Sequence, residues 1–166
     1  MNNYAASVTQ QGSQTKSGFL QALVATRPGW GPVVLRLGLA AMLWPHGAQK
    51  LLGLFGGYGF SATMGAMSQS LPAAIVFLVI MGEFFGSILI ASGFLTRFAA
   101  ASVAVIMAGA ALTVHLHNGF FMNWMGNQPG EGFEFHLLAI SMAVTLLVQG
   151  AGSASIDLRL TKRAKD

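Results

Sequence analysis

The chain has 166 residues, of which 54% are apolar and only 8% charged, against about 25% charged in an ordinary soluble domain. Nine Lys and Arg, five Asp and Glu and a mean hydropathy of +0.61 cannot clothe a water-facing globule, so a soluble enzyme is all but excluded. The net charge of +4 does not mark a nucleic-acid binder, because the cations are thinly spread, and the absence of cysteine removes disulfides, thiolate metal sites and a cysteine nucleophile.

Residues 1–30 form a polar N-terminal tail without the charged start and apolar stretch of a cleavable signal peptide. Within it Phe19, Leu20, Leu23 and Val24 share one side of a short helix suited to the bilayer surface, ended by Pro28 and Pro32. A hydrocarbon core of about 30 Å needs roughly 20 helical residues. Four stretches meet that length, near 31–52, 71–95, 98–117 and 133–151, and none alternates as a membrane strand would. They define a transmembrane region over 31–152, followed by a basic C-terminal tail over 153–166.

The loops 53–70 and 118–132 hold no Lys or Arg. Lys16 and Arg27 precede the first span, Arg97 lies between the second and third, and Arg159, Lys162, Arg163 and Lys165 follow the fourth. The positive-inside rule then predicts an all-α integral membrane four-helix bundle, multi-pass, with both termini cytoplasmic and in contact with membrane lipid. The first loop reads as an irregular interfacial segment whose aromatic residues anchor at headgroup depth.

Ionisable groups inside apolar spans cost about 2.5 to 3.5 kcal/mol each, so each needs a partner or a task. At 1.5 Å per residue, Arg36 lies roughly 9 Å from the cytoplasmic edge, His46 roughly 9 Å from the outer edge and Glu83 near the midplane. His46 and Lys50 are four apart and share a face. His46, Lys50, His115, His117, Glu134 and His136 reach similar heights in the outer half, where three of the four histidines can converge on one outward cavity. His115 and His117 diverge by about 200°, which puts His115 inside and His117 at the rim.

Each group has a plainer reading beside the functional one. Lys50 and Arg97 can snorkel to an interface, and Arg36 can meet lipid phosphate or pair within the bundle. Glu83 is either half of a structural ion pair or a proton or ligand group. Each histidine is either a packing residue or a ligand contact, and Gly82 and Gly86, spaced GxxxG, read as a close helix–helix contact. Metal readings fail on spacing: Glu134 and His136 are two apart where a di-iron bundle needs Glu-x-x-His, and no His-Glu-x-x-His is present. No haem motif is present either, although two histidines on facing helices at one height could still ligate a haem.

These residues resemble the DoxX family of small four-helix bacterial membrane proteins over about residues 36–160. The resemblance is carried by LRLGLAAMLWPHGAQKLLG, GEFFGSILIASGFLTRFAA, VHLHNGFF and QGAGSASIDLRL in that order. Arg36, His46, Gly47, Lys50 and Gly53 match the first signature; Glu83, Gly86, Gly93 and Arg97 match the second; Ser155 and Asp157 match the closing one. Pro45 and the long polar N-terminal tail depart from the pattern. The resemblance implies membrane redox work, with a quinone (ubiquinone or menaquinone) as cofactor and another redox or stress-response subunit as partner.

The expected site is a quinone pocket of His46, Lys50 and His115 with Trp44 or Phe84 flanking the ring. An intramembrane polar network of Arg36, Glu83, Arg97, Glu134 and His136 would lie around it. Two rival expectations stand beside this one, a non-catalytic anchor for an oxidoreductase or stress enzyme and a transporter of protons or small solutes through Glu83.

Overall fold

The computed structural model describes residues 18, 19 and 21–163; expectations for residues 1–17, Leu20 and 164–166 lie outside the described residues. Among the described residues every regular element is helical, and residues 21–24 form a helical turn. The main elements are α1 (Gly31–Leu52), α2 (Gly59–Met67), α3 (Ala73–Ser92), α4 (Thr96–Ala110), α5 (Glu134–Gln149) and α6 (Ile156–Arg163). A π-helical turn, Ala111–His115, and a 3₁₀ turn, Leu116–Asn118, prolong α4.

The boundaries follow from backbone chemistry. Pro32 sits in the first turn of α1, where its missing N–H has no intrahelical partner to lose. Gly53 ends α1 at φ 73°, its N–H reaching the Ala48 carbonyl, a left-handed cap that glycine adopts without strain. Pro72 precedes α3, and Gly93 closes it in the same manner at φ 67°. By length and composition two helical stretches suffice to cross a membrane, Ala73–Ser92 and Thr96–Asn118. α1 is long enough at 22 residues but carries Arg36 and Lys50, and α5 has only 16 residues.

α1 lies against α3 and α5, and α4 against α5 and α3. Leu39, Leu43, Ile90, Val103 and Leu146 fill the centre, with alanines such as Ala100 and Ala143 letting the helices approach. The outward faces stay apolar, with Val34, Leu78, Val105 and Val148 all exposed. Such a belt is stable only against lipid or another apolar surface.

One expectation needs correction and a second needs refining. The first loop contains a nine-residue helix, α2, because its Gly-rich start is followed by a helix-compatible run, GFSATMGAM. The closest helix approach is made by Gly47 rather than by Gly82 and Gly86. A Cβ on Gly47 would stand 2.5 Å from the Phe84 nitrogen, whereas Gly82 and Gly86 face only side chains of α4, Ile106 and Val103. We therefore expect Gly47→Ala to push α1 off α3 and lower stability by about 1–3 kcal/mol, the usual cost of overpacking. Gly86→Ala, whose Cβ would meet Val103 at an ordinary 3.7 Å, changes little. Thermal melting of both variants in one detergent checks the contrast.

Candidate functional site

A cavity of about 1240 Å³ runs between α3 and α4, roofed at one end by α1, α5 and the loop before α5. Its long walls are apolar, formed by residues such as Ile75, Leu78, Phe85, Phe98 and Val105. Its head is polar, and here the structure brings together His46, Lys50, Glu83, His115, His136 and Glu131.

Glu83 is only 5% exposed, and its Oε2 accepts a hydrogen bond from Lys50 Nζ at 2.5 Å. This is the only ion pair among the described residues. Gly47 makes it possible, since Lys50 lies about one helical turn beyond that close crossing and Glu83 adjoins Phe84 at the crossing itself. His46 is one turn back on the same face, packed edge-on against Phe135 at 5.8 Å.

His136 is 7% exposed, and its ring lies 4.1 Å from that of His115 with 37° between their planes. His136 Nδ1 is buried without a hydrogen-bond partner. His115 Nδ1 donates to the Glu131 carbonyl at 2.8 Å; a carbonyl can only accept, so this ring carries its proton on Nδ1. The π-turn holding His115 inserts an extra residue into the helical period, a feature concentrated at functional sites, and aims the ring at α5. His117 is exposed outside the cavity lining.

Five expected residues stand apart from this cluster. Trp44 is two positions before His46, so it faces the other way, packing against Phe55 at 5.9 Å and Phe84 at 6.4 Å. Neither Trp44 nor Phe84 lines the cavity. Glu134 braces the preceding loop by accepting the Met122 N–H at 3.2 Å. Arg97 does not join Glu83; its guanidinium donates to the carbonyls of Ala25 and Leu147.

Arg36 is the fifth. It is 1% exposed and donates to the carbonyls of Ala91 at 3.0 Å, Ile90 at 3.4 Å, and Ser153 and Ala154 at 3.1 Å each. It thus ties the carbonyl end of α3 to the segment before α6, with neither a lipid phosphate nor Glu83 as partner.

Asp157 completes this tie, and the sequence reading assigned it no role. Its two carboxylate oxygens each accept a backbone N–H at 2.9 Å, from Leu95 and Thr96, capping the start of α4 from a different part of the chain. Ser155 accepts the Leu158 N–H and starts α6. Gly93 has room for nothing larger, since a Cβ there would collide with the Arg36 guanidinium and Ser155. Glu131 was also missed; besides its carbonyl, its carboxylate accepts the Asn123 N–H at 2.6 Å. An acid in a loop without cations was the available signal.

The signature residues therefore sort by end: His46, Gly47, Lys50 and Glu83 build the cavity head, while Arg36, Gly93, Ser155 and Asp157 lock the opposite end, where α3, α4 and α6 meet. The family model for DoxX matches residues 31–116. The chain belongs to the DoxX family. The matched stretch of this DoxX protein includes His46, Lys50, Glu83 and His115, and stops short of His136 and Asp157. An uncharacterized protein of Haemophilus influenzae is 31% identical over 93 residues, which cover 55% of this chain. The chain spans 58% of that relative's length. No solved structure matches. DoxX membership and the two long apolar helices together point to a membrane protein.

Proposed function

We propose that this DoxX protein is a four-helix integral membrane protein of the bacterial inner membrane. In this reading α1, α3, α4 and α5 cross the bilayer and both termini are cytoplasmic. We further propose that the cavity between α3 and α4 binds the head of ubiquinone or menaquinone, as one subunit of a membrane redox complex. The topology is supported by the lack of Lys and Arg in the 53–70 and 118–132 loops and by the apolar outward faces.

One observation carries the ligand reading. An apolar trough ends in a polar head that holds a buried, unpartnered His136 Nδ1. A polar atom so placed is costly unless something bonds it, and the trough matches a ligand with a long hydrocarbon tail.

The residues present fit such a group. A quinone head offers two carbonyl oxygens, and His46, Lys50 and His136 offer donors around one space, with the Phe135 ring beside them. When bound, a quinone supplies reversible transfer of two electrons and two protons. The protein's part is to orient the head, exclude water along the apolar walls and hold protons nearby. Lys50 brings positive charge to the head and Glu83 keeps that ammonium in place. With Nδ1 donating to Glu131, His115 presents Nε2 as a proton acceptor. In this proposal a partner subunit of redox or stress-response chemistry supplies the electrons.

Calorimetric titration of the purified chain with short-tailed ubiquinone and menaquinone analogues tests this. His46→Ala and His136→Phe should each weaken binding about tenfold, the worth of one hydrogen bond, and Trp44→Ala should leave it unchanged. No binding by the unaltered chain would reject the quinone reading in favour of a non-catalytic anchor.

A further inference from the structure

The end opposite the cavity head presents a surface of one charge sign. α6 has the sequence IDLRLTKR. Its only acid, Asp157, is 1% exposed and turned inward to cap α4. Its exposed positions are Ile156, Arg159, Leu160, Lys162 and Arg163, so cations and large apolar side chains share the outward face.

α6 is docked rather than dangling. Thr161 Oγ1 donates to the Val24 carbonyl, and the Thr26 hydroxyl accepts the Gly152 N–H at 2.8 Å. That contact brings in the exposed Arg27, and nearby Trp30 stands 71% exposed at the start of α1. Among the described residues no carboxylate pairs with Arg27, Arg159, Lys162 or Arg163.

We propose that this face is a binding site for the headgroup of an anionic phospholipid. The charge is complementary. The interleaved Ile156, Leu160 and Trp30 match the boundary between headgroups and hydrocarbon, where amphipathic helices and indole rings settle. The face also continues into the apolar outward surfaces of α1 and α5, at Val34 and Val148. An acidic protein would satisfy the cations but leave this continuity unused. Clusters of Lys and Arg beside a membrane span attract anionic lipid. The inference takes from the proposed function only that α1 and α5 cross a bilayer; it needs no quinone.

The test uses the full chain in mixed micelles containing equal phosphatidylglycerol and phosphatidylcholine, with retained lipid counted by native mass spectrometry. The unaltered chain should retain phosphatidylglycerol in excess. The triple variant Arg159→Gln, Lys162→Gln, Arg163→Gln should lose that preference, about a hundredfold in affinity at low salt. Arg159→Lys with Arg163→Lys should keep it, and added salt should weaken it in the unaltered chain. Equal retention of the two lipids by the unaltered chain, or undiminished preference in the triple variant, overturns the site. Loss of an acidic co-purifying protein in the triple variant without any change in lipid also overturns it. A chain that stays soluble without detergent would instead defeat the membrane reading.

Discussion

Arg36→Met should cost this protein about 3–5 kcal/mol, because it leaves several carbonyls without their charged donor, at about 1–3 kcal/mol for each one left unpaired and less than additively together. Methionine nearly fills the space, so the loss isolates hydrogen bonding. The carbonyls of Ile90, Ala91, Ser153 and Ala154 would all lose a donor that is itself only 1% exposed. Bonds from a charged donor are worth about 1.5–3 kcal/mol each, but four from one guanidinium do not add. Against a total stability of 5–15 kcal/mol, the expected result is a melting temperature lower by about 10 °C in the same detergent. Arg36→Lys should recover only part of this, because an ammonium has three donors at one point where the guanidinium spreads five across a plane. Asp157→Ala should act at the same joint, leaving the Leu95 and Thr96 N–H groups uncapped at about 1 kcal/mol. An Arg36→Met protein melting within a degree or two of the parent would show that the joint is not what holds this end together.

The helical character and the long apolar segments were legible because apolar runs near 20 residues leave few alternatives. Height along the helices was legible too, since 1.5 Å per residue puts His46, Lys50, His115 and His136 in one layer. Direction around the helix axis was harder to read. Trp44 belongs on the face opposite His46 by the same two-residue rule that separates His115 from His117, and applying that rule to Trp44 would have removed it from the pocket.

The orientation of His115 depends on a π-turn that no periodicity announces. Arg36 and Arg97 were unreadable for another reason. Their partners are carbonyl oxygens, which every residue carries, and those oxygens become a site only once the end of α3 has met the segment before α6, for Arg36, and the end of α5 has met Ala25, for Arg97. Sequence shows a buried cation's need for acceptors and leaves their identity open. Asp157 illustrates the converse: an acid among cations looks like a surface pair, but its backbone partners lie 61 and 62 residues earlier.

Removing Lys50 and removing Glu83 should have unequal effects, and the inequality tests whether the pair is structural. Glu83 is 5% exposed near the middle of α3, so Lys50→Met strands a carboxylate with no other described cation bonded to it. The Lys50 side chain is 26% exposed, near the end of α1, and can turn outward when Glu83 is gone. Lys50→Met should therefore destabilise by about 3 kcal/mol and Glu83→Leu by about 1. The double variant should recover to within about 1 kcal/mol of the parent, because an apolar pair in the same space strands nothing. Melting the four proteins in one detergent gives the coupling energy directly, and a value near zero would mean that each group is solvated independently. The double variant also separates stability from function. It keeps the helices together at Gly47 but removes both charges from the cavity head. If that head holds a quinone, the folded double variant should lose binding at least as severely as His46→Ala. A stable double variant that binds quinone analogues normally would reduce Lys50 and Glu83 to a clasp between α1 and α3.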